Sequence, residues 1–404
     1  MSDRSRLAWL RTPDAVRERC NALMGLAEQG ALPHFAFDPA RLDAAADYVA
    51  AVIRQNYPDL AIPYHARWRH FAAGGLDRWA GLAGSLRESD ALEIARLRID
   101  LCTVSVLLDA GAGTAWRFRE PTTGLVLSRS EGLAIASWHA FLAGRFSSDP
   151  QQPWRADAAG LCRLSDAALV TAFQVSPDNP LPGVAGRAAL LRSLGAALLR
   201  RPKPGGAGSR IGGLLDIWMA RSVNGALAAR DLLATILEVL APIWPARLTL
   251  AGENLGDVWR HPMLDGDGLV PFHKLSQWLC YSMIEVLEQI PIAVSGLDDL
   301  TGLAEYRNGG LFVDLGVLTL RDPSLATIPL AVDHPAVVEW RALTVALLDR
   351  IAPLLRARLG VSTQETPLAR LLQGGTWDAG RRIAGERRPD GAPPLVVRSD
   401  GTVF

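Results

Sequence analysis

The sequence predicts a mainly α-helical protein, and three observations carry that expectation. Apolar residues recur at helical spacing through 13–29, 39–56, 90–110, 131–144, 186–200, 211–241, 272–290, 335–359 and 365–373. Extended pattern is confined to "TAWRFREPTTGLVLSRS" (114–130), two short runs around the turn "PTTG", and to the terminal "PPLVVRSDGTVF" (393–404). A hydrophobic fraction of 49% against 21% charged residues provides for a substantial buried core.

Taken in order, the opening "MSDRSRLAWLRTPDAVRERC" is polar and helical and lacks the apolar centre of a signal peptide. The helix at 131–144 follows a cap at Ser130, and several later helices end at Gly or Pro. "LLATILEVLAPIW" is too short to span a bilayer and stops at proline. Residues 201–210, "RPKPGGAGSR", are the most linker-like stretch. The chain is therefore expected to form one compact, mainly helical unit over 1–404, with a possible subdivision near 201–210. The tail "VRSDGTVF" ends on apolar residues after a turn and is expected to dock.

Acidic and basic residues number 42 each, so no net field draws the chain to nucleic acid or to a membrane. Cys20, Cys102, Cys162 and Cys280 are scattered without a CxxC pair, which suits reduced thiols and gives no zinc pattern. The expectation is a soluble cytoplasmic protein without metal or cofactor that binds a small molecule. Its oligomeric state is not set by the sequence.

Lys274 opens the most informative stretch, "VPFHKLSQWLCYSMIEV". The chain has only one other lysine, Lys203, among 42 basic residues. On a helix, Lys274, Trp278, Tyr281, Glu285 and Glu288 share one face, opposite Leu275, Leu279, Met283 and Leu287. Such a face describes either a solvated stripe or a pocket wall with rings for stacking and charges for orientation. In "LTGLAEYRNGGLFVDLGVL" (300–318), Glu305, Tyr306 and Arg307 precede the turn signal "NGG". That triplet is an ordinary ion pair beside a turn, or a site if the fold brings it against the Lys274 helix. "IPYHARWRHF" (62–71) places Arg67 and Arg69 beside Trp68, a pattern for an anion or a cationic surface patch. Its His65 and His70, five apart, do not share a helix face well enough for a metal pair. The glycine-bearing "NPLPGVAGRAALL" and "QGGTWDAGRRIA" read as helix starts, since neither is a P-loop or a dinucleotide fingerprint.

Together "HFAFDPARL", "NYPDLAIPYHARWRHF", "VSVLLDAGAGTAWRFRE", "RSEGLAIASW", "NPLPGVAGRAALLRSLG", "VPFHKLSQWL", "LTGLAEYRNGGLFVDLGVL", "VEWRALTVALLD", "GGTW" and "SDGTVF" resemble the fungal and bacterial uracil-catabolism family of the ribosylurea pathway, long catalogued as a domain of unknown function. A shorter stretch is similar to the queuosine-salvage N-glycoside hydrolases, whose helical fold is like that of DNA glycosylases. Lys274 and Gln277 match that family's Lys-x-x-Gln helix. Leu300, Thr301, Ala304, Tyr306, Arg307 and the "GVL" at 316–318 match its second segment. The family's aspartate before Tyr-Arg is Glu305 here. Its helical aspartate aligns with Ser282, for which Glu285 is a substitute one turn on.

The first resemblance implies pyrimidine breakdown and the second an N-glycosidase fold. The resulting expectation is hydrolysis of ribosylurea or its 5′-phosphate to release urea. Glu305 would act as nucleophile or base, and Tyr306, His273 or Glu285 as the acid for the poor leaving group. Lys274, Gln277, Trp278, Tyr281 and Arg307 would bind the nucleotide-like substrate, with Arg67 and Arg69 as a second anion contact. The alternatives are a non-catalytic protein that binds or channels a pyrimidine nucleotide, and a metal-free amidohydrolase or lyase.

Overall fold

Capping chemistry starts the long helices where the sequence places them. Thr12 Oγ1 accepts the Ala15 N–H at 3.1 Å and Pro13 occupies the first helical position of Pro13–Glu28. His334 Nδ1 accepts the Ala336 N–H at 3.1 Å to open Pro335–Leu359, which closes on Gly360 at φ 71°. The computed structural model of the chain describes residues 2–86, 89–200, 209–398 and 401–402. It is mainly helical, and the strands among the described residues form only two-stranded pairs. The described residues divide into two compact units. One takes residues 1–65, 257–277 and 296–398, the other 66–256, 278–295 and 399–404.

The first unit is built on Pro335–Leu359, buried without a break from Ala336 to Leu348. Helices Pro13–Glu28 and Leu42–Asn56 pack on it. Its strands pair antiparallel, Phe35–Phe37 with Leu318–Leu320 and Val258–Arg260 with Leu269–Pro271. The Phe35 N–H donates to buried Glu339 Oε1 at 2.7 Å, which ties the first pair to the central helix. Tyr306–Asp314 packs against Trp377–Arg387 at very short range, because a Cβ on Gly380 would sit 2.1 Å from the Arg307 carbonyl oxygen.

The second unit gathers Ala91–Leu107, Arg129–Leu142, Val184–Arg200, Leu214–Arg221 and Ala229–Leu240. It also holds the hairpin Phe118–Arg119 with Val126–Leu127, as the sequence predicts, and a parallel pair, Ala226–Ala228 with Ala293–Ser295. Arg210, 4% exposed, bonds Asp100 Oδ2 through Nε at 2.7 Å. The tail is packed at Gly401 and Thr402. A Cβ on Gly401 would lie 2.6 Å from the Gly183 carbonyl oxygen, and Arg247 Nη2 donates to Thr402 Oγ1 at 2.6 Å.

Several expectations change. The stretch 211–241 is not one helix. It breaks at "SVNG", where Asn224 (φ 51°) and Gly225 (φ 73°) both adopt the left-handed region and a strand follows. "NGG" at 308–310 is not a turn but lies inside Tyr306–Asp314, and a Cβ on Gly309 would meet the Trp340 ring at 2.7 Å. The 365–373 helix shrinks to Leu368–Leu371 and runs through a π-helical turn, Leu372–Thr376, into Trp377–Arg387. Helix Arg129–Leu142 begins after Ser128, two residues before the expected cap. The linker-like residues 201–208 lie outside the described residues, as do Ser399, Asp400, Val403 and Phe404 of the tail. No helix among the described residues is long and apolar enough to cross a membrane.

Candidate functional site

In the first unit a buried carboxylate sets the start of the Lys274–Leu287 helix. Asp257 accepts the Lys274 backbone N–H at 3.0 Å and the Trp259 Nε1–H at 2.7 Å. Arg341 meets both of its oxygens at 2.8 and 2.9 Å. Burial alone would raise the Asp257 pKa, but the Arg341 charge and these hydrogen bonds hold it down at about 2. The helix thus begins on an ionised, paired group that also complements its dipole.

One turn on, Gln277 is fully buried and clamps the next segment. Its Oε1 accepts the Thr301 N–H at 2.8 Å, and its Nε2 donates to Thr301 Oγ1 and, at 3.3 Å, to the Phe272 carbonyl. This pair of bonds ties Thr301 to the first turn of the Lys274 helix. The Lys274 charge is among the groups that favour ionised Glu305.

Glu305 is 7% exposed and caps Tyr306–Asp314. Its Oε2 accepts the Arg307 N–H at 2.7 Å and its Oε1 the Asn308 N–H at 2.5 Å. Burial raises its pKa above the ordinary carboxylate value, opposed by those two N–H bonds and by the charges of Lys274 and Arg307. Half-buried Tyr306 packs under the Arg307 guanidinium at 4.9 Å, and Arg307 Nη1 donates to the Gly391 carbonyl at 2.8 Å. Asn308 Oδ1 accepts from Thr376 Oγ1 at 2.8 Å. His273, at φ 49°, gives its Nε2–H to the Leu10 carbonyl at 2.8 Å, and burial lowers its pKa.

In the second unit stand the other expected residues. Trp278 and Tyr281 are buried, 4% and 0% exposed, and so are Leu275, Leu279, Met283 and Leu287 on the opposite face. The Lys274–Leu287 helix is therefore covered on both sides, with Glu288 exposed just beyond its end. Arg67 is fully buried, and two of its three guanidinium nitrogens are bonded. Its Nε donates to Ser105 Oγ at 2.7 Å, and its Nη1 to Asp109 at 2.6 Å and to the Ser130 carbonyl at 3.3 Å. Its guanidinium carbon lies 5.4 Å from the centre of the Trp278 ring. Arg69 pairs with Glu285 at 2.6 Å, and Ser282 Oγ accepts the Arg67 N–H at 2.9 Å.

The structure thus joins Lys274, Gln277, Glu305, Tyr306, Arg307 and His273 in the first unit. Trp278, Tyr281, Glu285, Arg67 and Arg69 belong to the second. Asp257, Arg341, Asn308 and Thr376 escaped the sequence reading. Only "NGG" and "GGTW", whose glycines mark close packing, signalled any of them. No cluster of three or more His, Cys, Asp or Glu among the described residues is placed to hold a metal ion.

A family described as "Protein of unknown function (DUF1688)" matches residues 9–404. The chain is 39% identical over 398 residues to "Protein urg3" of Schizosaccharomyces pombe, covering 96% of each. It is 36% identical over 444 residues to "Uracil catabolism protein 4" of Lachancea kluyveri, covering 98% of this chain and 99% of that protein.

Proposed function

The chain belongs to the DUF1688 family, and from that premise we propose that it serves uracil catabolism as an N-glycoside hydrolase releasing urea from ribosylurea or its 5′-phosphate. The place in uracil catabolism rests on the relative that carries that name over nearly its full length. The reaction rests on one observation above all: Glu305 is a nearly dry carboxylate held by two backbone N–H groups.

Cleaving a ribosyl C–N bond leaves the anomeric carbon close to an oxocarbenium ion. A carboxylate in water gains little from a nearby cation, because solvent already satisfies it. One that burial has destabilised, as here, gains far more as positive charge develops opposite it. In this reading Glu305 lies beneath the anomeric carbon. The C1′–N bond breaks, its electron pair leaves on the urea nitrogen, and Tyr306 supplies the proton that nitrogen takes. Water adds to C1′ and gives up a proton, which restores the Tyr306 phenol through solvent. His273 is less suited as the acid, since its Nε2–H is spent on the Leu10 carbonyl. Lys274 and Arg307 hold the ribose hydroxyls or the phosphate.

Incubating the full chain with ribosylurea and with its 5′-phosphate while measuring urea tests the reaction. Release from either compound, lost in Glu305→Gln, supports it. Ligand binding without turnover would instead favour a protein that binds or channels a pyrimidine nucleotide.

A further inference from the structure

The π-helical turn Leu372–Thr376 reaches Glu305 through one buried side chain. Thr376 Oγ1 donates to Asn308 Oδ1 at 2.8 Å, and Asn308 Nδ2 donates to the Leu303 carbonyl at 3.3 Å. The backbone N–H of the same Asn308 donates to Glu305 Oε1 at 2.5 Å. Asn308 and Thr376 are both 0% exposed, and all four residues lie in the first unit. The turn that carries the hydroxyl is fixed by its glycines. A Cβ on Gly374 would sit 2.7 Å from Ile62, and one on Gly375 2.9 Å from Ile53. Turns of this kind occur mostly as single insertions inside α-helices, often at functional sites.

An amide side chain next to a buried carboxylate has reason to donate to it, because a bond to a charged acceptor is about twice as strong as a neutral one. Here both ends of the Asn308 amide are engaged elsewhere. Its oxygen can only accept and takes the Thr376 hydroxyl, while its nitrogen can only donate and takes the Leu303 carbonyl, so the two partners fix which way the amide faces. Among the described residues Glu305 is left with backbone donors alone, one N–H on each oxygen. We propose that Thr376 and Asn308 are positioning residues of this site: they hold the Asn308 amide away from Glu305 and so keep the carboxylate short of donors. Its charge is then met by the developing oxocarbenium instead of by a protein hydrogen bond. The use made of that charge rests on the hydrolase reading above, whereas the control of Glu305 by Thr376 and Asn308 is tested apart from it.

The test pairs urea-release kinetics with a ¹³C titration of the Glu305 carboxyl in the full chain, its signal identified as the one missing from Glu305→Gln. Thr376→Val keeps the shape and removes the hydroxyl. The Asn308 amide should then turn and donate to Glu305, lowering its pKa, since a hydrogen bond to the charged form favours that form. The kcat should fall about tenfold at unchanged KM, the worth of about one hydrogen bond, and its acidic limb should move down with the titration. Thr376→Ser, which keeps the hydroxyl, should behave as the wild type. Asn308→Asp sets a second carboxylate beside Glu305 and should move titration and limb upward instead. Lost stability alone would move neither, and should Asn308→Asp fail to fold, the two Thr376 variants decide. A Glu305 titration that stays in place in folded Thr376→Val, or a Thr376→Ser that behaves as Thr376→Val, overturns the assignment. The expected titrations with kcat unchanged in Thr376→Val sink the catalytic use of the pair. The expected titrations with no urea release from the wild type sink the hydrolase reading and leave the control of Glu305 standing.

Discussion

Glu305 is an unusual helix cap. Ser, Thr, Asp and Asn reach the N2 and N3 amides with shorter side chains and dominate that position, so a glutamate there has reach to spare for a second task. Glu305→Gln keeps the size and one acceptor oxygen while removing the charge. It should lower urea release by about 10²–10³-fold, the usual loss when one preorganised electrostatic group is deleted. The fold should be retained, as read by circular dichroism beside the kinetics. Asp257 carries the opposite kind of charge, one kept for structure. Asp257→Asn strands a buried Arg341 and should cost about 3–5 kcal/mol in denaturant titration, the range for breaking a buried ion pair. Its pH signature follows from a pKa lowered from the usual 3.8 to about 2. The folded state binds this proton less readily than the unfolded chain. The stabilisation is therefore complete above pH 4 or so and lost as pH falls toward 2. Denaturation midpoints across that window should fall in the wild type more steeply than in Asp257→Asn.

Among the elements, the long helices were legible in the sequence because their apolar period and caps are local. The errors at "NGG" and "GGTW" lie where long-range packing overrides local chemistry. "NGG" has turn composition, yet its glycines are spent on contact with the Trp340 ring and Pro394. "GGTW" looked like a helix start, but its glycines admit side chains of Leu42–Asn56 and its π-helical turn cannot be read from composition. The stretch 211–241 kept helical periodicity across an Asn-Gly pair that outweighed it. Gly380 and Gly385 test this view within one helix. Gly380→Ala forces a methyl against the Arg307 backbone and should destabilise by about 1–3 kcal/mol while reducing urea release. Gly385, with nothing within 4 Å of its missing Cβ, should tolerate alanine or gain up to about 1 kcal/mol from helix propensity. Thermal denaturation of the pair decides it, and equal losses would contradict the packing account.

For the whole molecule, helical periodicity and composition forecast a mainly helical, well-cored fold correctly, whereas the division of the chain was invisible. Each unit is assembled from three separated segments, and no composition shift marks residues 65, 256, 277 or 295. Lys274 and Glu305 could be paired in advance only by resemblance, since Gln277 and Thr301 make their link across 24 residues. The segments have a consequence for dissection. A fragment of residues 66–256 lacks 278–295, and with it Ser282, which accepts the Arg67 N–H, and Glu285, which pairs with Arg69. That fragment should fail to give a dispersed NMR spectrum, and a well-ordered one would contradict the assignment of 278–295 to this unit. The most direct measurement remains urea release from ribosylurea and its 5′-phosphate by the intact chain. Turnover of at least one of them, lowered about 10²–10³-fold in Glu305→Gln, is the predicted result. A folded wild-type protein that binds either compound and releases no urea would contradict it.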